Sequence, residues 1–202
     1  MQQQKVIKIK DDIPKTHFFL YKNKKYPFNF DFFKYTSKYF QTNELEIKNT
    51  TLIPLIDDIS EQEQNLTDET IQHFINFVHH QAIPINNDNV VHLNYLSKIY
   101  QIEELKDATT DYIKEHQREI LIDILIFHQN ERSFPTQSYE GILTEHFIEY
   151  IDDDRLLSLK MPIIDRVISN HIRFYLSNES KNKIIDFLFK MLDKFGKEAS
   201  FL

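Results

Sequence analysis

The sequence predicts two halves of different class: an α+β N-terminal domain, with a short sheet of three to five strands flanked by helices, and an all-α C-terminal helical domain. Three patterns predict this. Two aromatic-rich runs bracket the polar KNKK of residues 22–25, the pattern of an antiparallel hairpin. From Thr67 onward apolar residues recur every three or four positions, the period of a helix with one buried face. Beyond about residue 116 the strand signals stop, and every periodic stretch reads as helix.

The hairpin is HFFLYKNKKYPF, residues 17–28. Ahead of it VIKI alternates apolar and basic residues and predicts an added edge strand. Asn29 can cap FDFFKYTSKYF, one short helix in which Phe30, Phe33, Ser37 and Phe40 fall at helical spacing. LIPLID, residues 52–57, predicts a strand whose Pro54 suits an edge, and the polar DISEQEQN after it predicts a loop. Thr67 caps the next helix. Asp68 and Glu69 sit in its first turn, where the helix dipole favours them, and Ile71, Phe74, Ile75 and Val78 form its apolar stripe. AIPI, residues 82–85, reads as strand. NND opens a helix with Val90, Leu93, Leu96 and Tyr100 inward, and IEELKDATTDYIKEH follows with Ile102, Leu105, Thr109, Tyr112 and Ile113 in phase.

In the second half ILIDILIF is apolar on nearly all sides and fits a buried helix or a β-branched strand. NERSFPTQS is a loop, and YEGILTEHFIEYI, DDDRLLSL, MPIIDRVISN and NKIIDFLFKMLDKFG predict four helical segments. Pro162 suits a first helical turn and Gly196 a C-terminal cap. In the last segment Ile184, Phe187, Leu188, Met191, Leu192 and Phe195 line one face.

Composition removes several function classes. The 202 residues include no cysteine, which excludes disulfides, thiolate metal sites and cysteine nucleophiles. Gly141 and Gly196 are the only glycines, so neither a dinucleotide-binding GxGxxG nor a phosphate-cradling P-loop can be written. Thirty-one acidic against 24 basic side chains give a net charge of −7, which opposes nucleic-acid binding; KNKK is the single basic run and reads as a solvated turn. No apolar run reaches the roughly 20 residues that span a bilayer, and MQQQKVIKIK lacks the apolar stretch of a secretory signal. The expected location is intracellular, cytoplasmic or nuclear.

Titratable clusters point to structure before chemistry. His79 and His80 diverge by about 100° on a helix and cannot face one metal, so they read as a helix C-terminus where positive charge is favoured. His146 and Glu149 have the i, i+3 spacing of di-iron bundles, but one copy falls short of the two such sites need. Asp152, Asp153 and Asp154 lack the ligand alternation and glycine of a calcium loop and read as solvated carboxylates at a helix start. No GxSxG elbow is present. The expectation is no catalytic residue, no metal and no cofactor. What stands out is ring surface: 17 Phe and 10 Tyr exceed what a domain of about a hundred residues buries with ease, so apolar faces are expected to seek partners.

HFFLYKNKKYPFNFDFFKYTSKYF resembles the opening of BTB/POZ domains: a hairpin, an aromatic–Pro step at Tyr26 and Pro27, a helix, then Ser–x–Tyr–Phe at Ser37, Tyr39 and Phe40. The family order of hairpin, helix, strand, helix, strand and two helices matches the order read above, over residues 5–115. Residues 116–202 resemble a BACK extension, with ILTEHFIEYIDDDRLLSLKMPIIDRVISN similar to its characteristic stretch. The chain departs from the family pattern at Asn29, where His is frequent, and at Lys38, where Pro is common. It also lacks the apolar–x–Glu element that many cullin-binding members carry, since QTNELEIKN stands there.

The resemblance implies a non-enzymatic protein–protein interaction module that self-associates and acts as scaffold or adaptor. The alternatives are a substrate adaptor of a cullin-type ubiquitin ligase and a monomeric adaptor of the Skp/elongin type. It places a homodimer seam at Phe30, Phe33, Lys34 and Ser37, with Val6, Ile7 and Ile9 adding an exchanged strand. A cullin or other partner surface falls at Phe40, Leu45 and Asn87. An enzyme site assembled from distant residues is the remaining, non-family reading.

Overall fold

The computed structural model describes residues 14–56, 65–131, 134–178 and 180–196. They form an α+β chain that divides into two compact units, Met1–Tyr112 and Ile113–Leu202, where the sequence predicts a boundary after residue 115. Among the described residues, no helix is long and apolar enough to cross a membrane. Val6, Ile7, Ile9 and the strand expected around them lie outside the described residues.

In the first unit, strands β1 (His17–Tyr21) and β2 (Lys24–Phe28) form the predicted hairpin, with Phe19 opposite Tyr26. The turn is two residues long, and both Lys22 (φ 46°) and Asn23 (φ 62°) take the left-handed conformation that matches the twist of a tight hairpin. Side chains alternate: His17, Phe19, Tyr21, Tyr26 and Phe28 are buried while Lys25 and Pro27 face out. β3 (Leu52–Pro54) pairs parallel to β1, giving the order β2-β1-β3, so Pro27 and Pro54 both sit in edge strands where a missing N–H is tolerated.

The expected single helix after the hairpin is broken. α1 (Phe30–Thr36) is capped by Asn29, whose side chain accepts from the Asp31 and Phe32 amides. Ser37 then turns extended (φ −112°, ψ 119°) and caps α2 (Lys38–Thr42), and α3 (Glu44–Lys48) follows. α4 (Asp68–Val78) starts at Thr67 as predicted, with the Thr67 hydroxyl accepting the Thr70 amide at 3.1 Å. Residues 82–85 form no strand: Pro84 has no N–H to give, the Asn89 amide bonds its carbonyl at 3.0 Å, and Ile83 and Ile85 pack half-buried on the core. α5 (Val90–Ile99) and α6 (Glu103–Glu115) complete the unit, tied by the Asn94 amide donating to Thr109 Oγ1 at 2.9 Å.

The core is a ring cluster. Phe33 lies 5.1 Å from Phe19, 4.7 Å from Phe28, 5.0 Å from Phe40 and 5.6 Å from Phe74, mostly edge-on, the arrangement aromatic quadrupoles favour. Tyr100 closes it and gives its hydroxyl to the Leu55 carbonyl at 2.7 Å.

The second unit is helical: α7 (Leu121–His128), α8 (Thr136–Glu145), α9 (Phe147–Tyr150), a 3-10 turn at Asp154–Ser158, α10 (Met161–Tyr175) and α11 (Ser180–Phe195). The stretch ILIDILIF, open between helix and strand in sequence, is α7, and DDDRLLSL forms the 3-10 turn. Leu125, Leu143, Phe147, Val167, Ile184, Phe187 and Met191 make its core. Leu192, predicted to face inward, is 39 % exposed, and Gly196 (φ 58°) takes the left-handed position after α11.

Candidate functional site

Four residues of the seam expected from sequence are described, and three of them point into the first unit. Phe30, Phe33 and Ser37 are buried within their own unit. Ser37 Oγ donates to the Tyr100 carbonyl at 2.5 Å and accepts the Phe40 amide at 3.2 Å, which fastens the start of α2 to the end of α5. Lys34 is half-exposed and bonds Glu44 at 2.6 Å; that bond raises its pKa. The partner surface expected at Phe40, Leu45 and Asn87 also divides. Phe40 is fully buried in the ring cluster, Leu45 is 84 % exposed on α3, and Asn87 is exposed with its side-chain Oδ1 accepting the Tyr112 hydroxyl at 2.9 Å. The inward face of FDFFKYTSKYF was legible in the spacing; what it faces was not.

The unit's surface depression lies elsewhere. A groove of about 690 Å³ runs between the α1–α2 junction (Tyr35, Lys38, Gln41), the end of α4 (Phe77, His80) and the α5–α6 joint (Gln101, Ile102, Glu103). Tyr35, 81 % exposed, stands on its wall. Both helix ends reach it through the same backbone device. His80 (φ 56°) and Gln101 (φ 52°) are left-handed residues just past the C-caps His79 and Tyr100, with the Gln81 amide returning to the Asn76 carbonyl and the Ile102 amide to the Ser97 carbonyl, each at 2.9 Å. In a chain with two glycines these positions carry side chains, and both line the groove. The rim is charged: Glu103 pairs with Lys106 and lies 3.9 Å from Lys38, and the Lys106 bond holds its carboxyl below the usual range. The lining mixes the rings of Tyr35 and Phe77 with the polar side chains of Lys38, Gln41, His80, Gln101 and Glu103. Tyr35 belongs, with Phe32 and Tyr39, to the second apolar face that the sequence of FDFFKYTSKYF shows off its Phe30–Phe33–Phe40 side.

Behind this wall sits His79, which is no cation at a helix end. It is buried, its Nε2 accepts the Asn29 amide at 3.1 Å, and the Phe32 ring lies 5.3 Å away. Burial, with smaller contributions from Lys15 and His80, drops its pKa to about 4. The imidazole is therefore neutral and protonated on Nδ1.

Among the described residues, no group of three or more His, Asp or Glu side chains converges as a metal site would require. His146 Nδ1 lies 2.8 Å from Glu149, and the Arg118 guanidinium lies 3.1 Å from Nε2. Arginine can only donate, so Nε2 accepts and Nδ1 carries the proton. The three aspartates each meet a cation: Asp152 with Lys183, Asp153 with Arg155, and Asp154 with Lys190. No protein-family model matches the chain, and no curated protein matches it.

Proposed function

We propose that the protein is a non-enzymatic interaction module of the BTB type, whose N-terminal unit self-associates and whose helical C-terminal unit holds a partner. Part of the element order supports the resemblance: a hairpin, short helices, a strand added parallel to β1, then α4, α5 and α6, with the family's further strand absent at residues 82–85. The observation that carries the interaction reading is the surplus of ring and aliphatic surface left outside a core already full of rings. Tyr35 and Leu45 are more than four-fifths exposed on the short helices that the sequence reading assigned to a partner. With Phe30, Phe33 and Ser37 used inside, the self-contact falls to the outer side of α1–α3, at Tyr35, Lys38 and Leu45.

Light scattering at tens of micromolar tests this directly. The expected mass is that of a dimer, and a Tyr35→Asp/Leu45→Asp double variant returns the mass of one chain with its fold intact. A wild-type protein that runs as a stable monomer removes the self-associating reading. The exposed Leu45 also favours the cullin-adaptor reading, which capture by an immobilised cullin N-terminal domain, lost in Leu45→Asp, would separate from a plain scaffold.

A further inference from the structure

Two elements that wall the first unit's groove, α1 and the end of α4, are joined through one residue, Asn29. Its backbone amide donates to His79 Nε2 at 3.1 Å, its Oδ1 caps α1 through the Asp31 and Phe32 amides, and its Nδ2 donates to the Pro14 carbonyl at 2.7 Å. Two more bonds tie the segment Pro14–Thr16 to the same corner. The Thr16 amide donates to the Phe28 carbonyl at 3.0 Å, and Thr16 Oγ1 accepts the Phe30 amide at 2.9 Å. Pro14, Lys15 and Thr16 are all exposed, so these bonds hold the segment and a place in the ring core does not.

The His79 bond is one that a proton breaks outright. An imidazolium donates from both nitrogens, so Nε2 no longer accepts, and the buried Asn29 amide then faces a second donor. The charges that bear on the ring are Lys15 in the exposed segment and His80 beside it, and both oppose a further positive charge. Its neighbours on α1 are the rings of Phe32 and Phe33, at 5.3 and 6.4 Å. A second imidazole stands at the other end of the segment, with His17 Nδ1 2.9 Å from Thr16 Oγ1. Burial opposes a charge on His17, while the Ile47 backbone and Asp31 favour it.

We propose that this corner is an acid-released latch: a proton on His79 removes the acceptor of the Asn29 amide, and Pro14–Thr16 and Asn29 let go of α4 while the ring core stays packed. Lifting the segment carries Lys15 away from the imidazolium and admits water to it, which relieves both the repulsion and the desolvation. The opening is local and precedes loss of the whole fold. It frees the groove wall that carries Tyr35 from the wall that carries Phe77 and His80. The proposal stands whether or not the N-terminal unit self-associates.

Amide hydrogen exchange on the whole chain, followed by NMR from pH 7.5 to 4.5 with and without dilute urea, tests it. After correction for intrinsic rates, protection of the Asn29 and Phe30 amides is expected to be constant above the free imidazole's 6.5 and to fall about tenfold per pH unit below it. It is expected to be unchanged by urea, because the opening exposes little surface. The Phe74 amide, in the interior of α4, is expected to stay better protected at every pH and to lose protection with urea. His79→Gln places an oxygen acceptor that takes no proton opposite the Asn29 amide, and its Asn29 protection is expected to be flat across the range. The proposal is overturned if Asn29 and Phe74 share one protection and one urea dependence, since the opening is then global. It is overturned equally if Asn29 protection ignores pH, or if His79→Gln keeps the wild-type pH dependence, which assigns the proton to His17. Should His79→Gln not fold, the first two outcomes decide on the wild-type protein alone.

Discussion

His79 makes the protein's stability depend on pH in a way that can be isolated. The free imidazole titrates at 6.5, and in the fold its pKa is about 4. The folded state holds the neutral form, so above pH 6.5 neither state is protonated and the full stabilisation is present. As pH falls toward 4 the unfolded chain takes up a proton that the fold refuses, and stability drops; below about 4 both are protonated and the loss is complete. The difference of about 2.5 units corresponds to about 3 kcal/mol, with a slope approaching about 1.4 kcal/mol per pH unit midway. Urea denaturation of wild type and His79→Phe at half-unit steps from pH 7.5 to 4 reads this directly. The variant leaves the Asn29 amide without its acceptor, so it starts lower by about 1–3 kcal/mol. Its curve falls less steeply with acid, by about 3 kcal/mol over this range, so the gap between the two proteins closes or reverses by pH 4. His17, whose pKa burial also lowers, contributes equally to both curves and cancels in the comparison. Parallel curves would refute the argument, as would a His79 ring resonance titrating near 6.5 in NMR.

Three further outcomes follow from the packing. Phe33→Ala is expected to destabilise the protein by about 3–5 kcal/mol, while Tyr35→Ala changes stability by less than about 0.5 kcal/mol; chemical denaturation that gave the two similar costs would place Phe33 at the surface. Gln101→Gly relieves a left-handed side chain and is expected to raise stability by about 1 kcal/mol, seen as a higher urea midpoint with an unchanged slope. Ser37→Ala loses both a helix cap and the bond to the Tyr100 carbonyl, a cost of about 1–2 kcal/mol, and increased hydrogen exchange at the Phe40 amide would locate the loss.

What could be read in the sequence was whatever a local pattern determines. The hairpin, the α4 start at Thr67 and the inward set Phe30, Phe33, Ser37 and Phe40 follow from alternation, capping and helical period, and each is where its pattern placed it. The departures all involve a partner distant in sequence. The helix breaks at Ser37 because its hydroxyl reaches a carbonyl 63 residues away, and periodicity continues through the break without a mark. AIPI has strand-like residues but no ladder to join. His79 looked like a charge at a helix end; its acceptor role depends on an amide 50 residues earlier. The site suffered most, since an apolar stripe tells which side chains share a face and leaves open whether that face meets its own core or another molecule. Phe33 and Leu45 are both apolar, yet one is sealed and the other bare.

The buried polar groups of the first unit share one task. Helix and strand ends leave backbone groups without partners, and each is costly to bury. Here side chains of the core answer them: His79 takes the amide that opens α1, the Tyr21 hydroxyl takes the Leu66 amide just before α4, and Tyr100 gives its hydroxyl to the Leu55 carbonyl after β3. These bonds span 45 to 50 residues, so they also fix which elements meet. Rings that carry a polar atom at the edge suit this role, because the apolar face fills the core while the polar atom closes a chain end. That accounts for a core rich in Tyr and His alongside Phe. Groups that elsewhere perform acid–base chemistry are committed here to holding the fold, and burial moves the His79 and Tyr100 pKa values away from neutrality, in opposite directions. The ring and aliphatic surface that the core did not take includes Tyr35 and Leu45 in one unit and Phe174 and Tyr175 in the other.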